Sequence, residues 1–75
     1  MSETPEEVKK VADYAADMKL PAKLRTDAID QLGNISTREA FLALLELAAN
    51  EGLIVKERDI ALKKAREVLK KTSPK

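Results

Sequence analysis

The chain contains neither cysteine nor histidine. The first absence excludes a disulfide framework, a thiolate nucleophile and Cys-ligated zinc, and the second removes the commonest metal ligand and general base. No cofactor and no metal are expected, and an enzyme is not. There are two glycines, Gly33 and Gly52, standing alone, so no glycine-rich phosphate loop can form. Tryptophan is missing, and aromatics amount to Tyr14 and Phe41. Neither interleaves the lysines, so stacking on nucleic-acid bases is not expected. Long apolar runs are lacking too, and "MSETPEEVKK" has no apolar signal region. The reading is therefore cytoplasmic, with no membrane partner.

What is present is helical material. Hydrophobic residues make up 44% and charged residues 36% of the 75 positions. Ala, Leu, Lys and Glu dominate and β-branched runs are absent, which predicts an all-α protein. A chain of this length makes one domain with one core. The net charge of +1 is unevenly spread: residues 1–55 hold six Lys or Arg against ten Asp or Glu, and residues 56–75 hold eight against three. Such a basic end attracts phosphates or an acidic partner, or serves as a solvated face complementing a helix dipole.

Caps and apolar spacing divide the chain into four helices. The first opens at Thr4, with Pro5 at the first helical position and Glu7 completing a capping box. Its stripe is Val8, Val11, Ala12, Tyr14, Ala15 and Met18, and it ends before Pro21. The second starts at Pro21, turns Leu24, Ala28, Ile29 and Leu32 inward, and stops at Gly33. The third begins at "STRE", where Ser36 and Glu39 suit a capping box. It closes in Schellman fashion at Gly52 and Leu53. In "EAFLALLELAAN" the polar residues Glu39, Glu46 and Asn50 occupy one narrow sector, so this helix is expected at the centre. The fourth, about 55–71, buries Ala61, Leu62, Ala65, Val68 and Leu69 and exposes its lysines. Residues 70–75 read as a frayed basic tail.

A shift of 33 pairs Thr4 with Thr37, Glu6 with Glu39, Ala15 with Ala48, Leu20 with Leu53, Lys23 with Lys56, Arg25 with Arg58 and Ala28 with Ala61. The chain thus reads as two αα-hairpins, 4–36 and 37–69. Between them Lys9 gives way to Leu42, which predicts a solvated flank on the first helix and a buried one on the third. In the opposite sense, Leu24 is replaced by Glu57 and Leu32 by Ala65, as if the first hairpin packs forward and the second has nothing beyond it.

"RTDAIDQLGNISTREAFLALLELA" followed by "ERDIALKKAREVL" resembles the HEAT repeat family, particularly its short HEAT-like members. Arg25, Ala28, Ile29, Leu32 and Gly33 match the second helix of one unit. Ala40, Leu44, Leu45 and Leu47 match the first helix of the next, and Arg58, Ala61 and Leu62 restart the pattern. The resemblance covers 4–69 and implies two stacked HEAT-like hairpins, a compact right-handed solenoid fragment, acting in protein binding. It also implies a structural polar ladder of Asp17, Arg25, Asn50 and Arg58, since an Asp in the turn and an Arg early in the second helix commonly line such stacks.

The candidate interaction surface is the fourth helix: Lys56, Ile60, Lys63, Lys64, Arg66, Lys70 and Lys71, with Ile60 lying outside the apolar face. The leading expectation is a non-catalytic adaptor for an unidentified protein, monomeric or weakly dimeric. The alternative is a nucleic-acid accessory protein using the same lysines through counterion release. A sequence-reading helix-turn-helix is disfavoured, because "TREAFLALLELA" carries almost nothing to donate to bases.

Overall fold

The computed structural model describes residues 5–72, so Thr4, with the capping box expected there, and the tail residues 73–75 lie outside it. The chain is all-α: α1 spans Pro5–Ala16, α2 Ala22–Ile35, α3 Arg38–Ala48 and α4 Val55–Thr72. Both hairpins begin in register with the sequence repeat. Helices α1 and α3 start 33 residues apart, as do α2 and α4.

The links between helices match as closely. Leu20 N–H donates to the Asp17 carbonyl at 3.0 Å and Leu53 N–H to the Asn50 carbonyl at 3.1 Å. The Asp17 side chain accepts from Lys19 N–H at 2.9 Å, and that of Asn50 from Gly52 N–H at 2.8 Å. Each turn is closed by a short polar side chain bonding two residues on, the property that favours Asp and Asn in turns. This ends α1 at Ala16, ahead of the stop expected at Pro21, and puts Met18 in the turn instead of on the helical stripe. Gly52 has no positive φ; Asn50, not a Schellman glycine, closes the second link.

Helix α1 packs on α2 and α3, α4 packs on α2 and α3, and α2 and α3 also meet. Among the described residues α1 and α4 do not touch. That is the pattern of two αα-hairpins stacked face to face, with α3 in contact with every other helix, as expected, and α2 sharing that position. One core results, from Val8 and Ala15 of α1, Ala28, Ile29 and Leu32 of α2, Ala40, Leu44 and Leu47 of α3, and Ala61, Ala65 and Val68 of α4. The radius of gyration is 11.4 Å, and about 11 Å is usual for this length.

The junction between hairpins differs from expectation at two residues. Gly33 does not stop α2 but lies inside it, buried. A Cβ there would lie 3.0 Å from Lys64 Cδ and 3.3 Å from Lys64 Cβ, so the missing side chain is what lets α4 cross so close. The helix ends two residues later, at Ile35, and the next residue, Ser36, takes the left-handed conformation (φ 58) and donates its hydroxyl to the Gly33 carbonyl at 2.8 Å. Thr37, not Ser36, caps α3: its hydroxyl accepts from Ala40 N–H at 3.1 Å.

Several apolar positions also lie on the opposite side from their expected one. Tyr14 and Leu24 are exposed at 57% and 48%, while Glu57 is 2% exposed. The repeat explains this. Positions 14 and 47, 24 and 57, and 27 and 60 face the preceding hairpin, so in the second hairpin they are covered and in the first they are not. Leu24 therefore does not pack forward, and Glu57 is not an outer residue. Leu42, expected to be buried, is exposed, and so is its counterpart Lys9.

Candidate functional site

Arg25 sits in the first turn of α2 and is buried. Its Nε and Nη2 donate to the two carboxylate oxygens of Glu57 at 3.2 and 2.8 Å. Nη1 donates to the Leu20 carbonyl. This two-pronged, charge-assisted pair joins α2 to α4 across the hairpin seam. With all three nitrogens bonded within the fold and the side chain buried, Arg25 is not presented to a ligand. Nor does it reach Asp17, which is spent on its own turn, as Asn50 is on the next. The four residues expected to line one ladder thus divide into two turn closures, one buried ion pair, and Arg58.

Arg58 is the exception. It occupies in the second hairpin the place of Arg25 in the first, and its Nε is buried with no acceptor among the described residues. Buried polar atoms are nearly always satisfied, so an unmatched guanidinium nitrogen is informative. Its counterpart Arg25 is matched by Glu57 of the following hairpin, and among the described residues no hairpin follows α4.

The lysine surface is placed as follows. Lys56, Lys63, Arg66, Lys70 and Lys71 are exposed, and Lys70 and Lys71 lie in the last turn of α4, not in a frayed tail. Lys64 is half-buried: its stem covers Gly33, and its ammonium lies 3.5 Å from Asp30 and 3.6 Å from Glu67. Ile60, expected on this surface, does not belong to it. It is half-buried against the core, because position 60 faces the preceding hairpin.

The apolar residues that α4 does expose are ones expected inside: Leu62 at 41% and Leu69 at 54%, together with Val55 at 61%. At 100° per residue, Val55, Arg58, Leu62 and Leu69 fall within roughly 60° of one another. They form one stripe, with Arg66, Lys63 and Lys70 along its rim and Asp59 among them. The signal was present in the sequence: Leu62 pairs with Ile29, which is fully buried by the second hairpin, so an uncovered Leu62 follows from asking what each repeat position faces.

Elsewhere the surface holds shallow open grooves, one lined by Tyr14, Leu20, Leu24, Asp27 and Gln31 and one between α1 and α3 beside Leu42 and Glu46. Among the described residues no group of three acidic side chains is placed to hold a metal ion, and no helix is long and apolar enough to cross a membrane. Comparison with known proteins finds no matching family model, curated protein or solved structure.

Proposed function

We propose that this chain is a small non-catalytic interaction or adaptor module of two HEAT-like hairpins, binding another protein through the outer face of α4. The observation that carries the reading is the stripe of Val55, Leu62 and Leu69, each exposed and aligned at seven-residue intervals along one face of α4, with basic residues along its rim. Single exposed aliphatics are ordinary, whereas three aligned along one face of a helix suit an interaction surface.

The test is affinity capture from the native host with the parent chain and with Leu62→Asp, whose melting temperature is compared first. Leu62 is already part-exposed, so the variant should fold. Proteins retained by the parent and lost by Leu62→Asp support the reading, and an unchanged set of captured proteins overturns it.

The exposed Lys56, Lys63, Arg66, Lys70 and Lys71 favour a second reading, a nucleic-acid accessory protein. Phosphate contacts of this kind weaken steeply as salt rises, through counterion release. Titration of labelled duplex and single strands at low and moderate salt decides it: absence of binding at low ionic strength eliminates this alternative.

A further inference from the structure

The seam between the hairpins shows what the outer face of α4 is shaped to receive. On α2, the residues facing the second hairpin are Arg25, Ile29, Leu32 and Gly33. Their counterparts on α4 are Arg58, Leu62, Ala65 and Arg66. What covers the α2 set is α4 itself, which places Glu57 on Arg25, seats Ile60 and Ala61 on the core, and lays Lys64 across Gly33. Described residues provide no such helix for the α4 set. Arg58 Nε is left buried without an acceptor, and Leu62 remains open to solvent where Ile29 is sealed.

From this, resting on the interaction reading above, we propose that the α4 face docks an amphipathic helix of a partner protein bearing two carboxylates seven residues apart beside an apolar seam. The first carboxylate takes the position of Glu57 and pairs with Arg58. The second takes the position of Lys64. There Gly33 is replaced by Arg66, so a lysine would meet a like charge and a carboxylate meets an opposite one. Seven residues return a helix to nearly the same face, so both acids fall along one edge of the seam.

The occupant is not a second copy of this chain stacked in the same manner. Its first hairpin would bring Leu24, not a carboxylate, to Arg58. A symmetric pair of α4 faces is disfavoured as well, since it would set Arg58 and Arg66 against their own copies. Charge complementarity selects an acidic helix of a different protein.

The probe is a library of displayed amphipathic helices, randomised at the polar positions flanking a fixed leucine seam and selected against the whole chain. The expected result is enrichment of Glu or Asp at two positions seven apart. A synthetic peptide of the selected sequence should lose about tenfold in affinity when the acid facing Arg58 becomes Gln. Arg58→Gln should cause the same loss, with no further effect on the Gln peptide. Arg58→Glu should redirect the selection to helices with Lys or Arg at that one position, a switch that a merely structural arginine would not produce.

Failure to recover any helix, recovery without acid enrichment, or enrichment indifferent to Arg58→Gln overturns the proposal. So does a selected peptide whose amide shifts map away from α4. These outcomes are separable from failure of the broader reading: partners captured through Leu62 but insensitive to Arg58→Gln would retain an interaction module and reject the acidic helix.

Discussion

At the scale of single residues, the Arg25 and Glu57 pair decides how the two hairpins hold together. Both side chains are almost fully buried, with side-chain exposures of 8% and 2%. Desolvation and mutual attraction therefore nearly cancel, while removing one partner strands the other. Arg25→Ala and Glu57→Ala are each expected to destabilise the fold by about 3–5 kcal/mol. The joint replacement Arg25→Met with Glu57→Leu should be neutral or stabilising, because neither charge is then left alone. Denaturant titration of all three variants checks this, and single variants with unchanged midpoints would refute it. The Lys64 pairs, longer and open to water on one side, belong to the class worth well under about 1 kcal/mol.

Among elements, the junction of α2 and α3 shows what was legible in the sequence and what was not. Four helices, their order and their starts follow from prolines, polar caps and apolar spacing, all local signals. The two misplaced devices, Gly33 as a stop and Ser36 as a cap, are ones whose local signal is overridden. Gly33 is needed inside α2 for the passage of Lys64, 31 residues away in sequence. The helix must then end on Ser36 in the left-handed region, a conformation that disfavours residues carrying a Cβ. The inner and outer sides of Leu24, Glu57 and Leu62 were obscured for a related reason. A repeat gives equivalent residues the same direction, but which neighbour they meet depends on whether the hairpin comes first or second.

Thr37→Ala is accordingly expected to cost about 1 kcal/mol, the usual loss of a hydroxyl cap. Ser36→Gly should cost little or be stabilising, since the relief of a left-handed Ser offsets the hydroxyl bond to the Gly33 carbonyl. Thermal unfolding distinguishes them, and a greater loss at Ser36 than at Thr37 would reverse the assignment of the cap.

Over the whole molecule, the two hairpins share one core. Ile29 and Leu32 are fully buried, Arg25 is matched by the second hairpin, and neither hairpin alone encloses a core. A peptide of residues 1–36 is expected to lack stable helicity in water, because short helices without packing are marginal. The full chain should unfold in a single transition. Circular dichroism of the fragment and calorimetry of the whole check both, and a folded fragment or two separate transitions would show the hairpins to be independent.

The crossing at Gly33 has a consequence for building with this unit. The second hairpin carries both halves of the seam, Glu57 to receive an arginine from the unit before and Arg58 to offer one to the unit after, with Leu62 ready for cover. Copies of residues 37–69 joined in tandem would repeat at each seam the pairing that Arg25 and Glu57 make here, with Arg66 standing where Gly33 admits the crossing helix. In such an array Arg66→Gly would restore the close passage that Gly33 permits between α2 and α4. A hairpin that carries both halves of its own seam is a starting point for a designed filament.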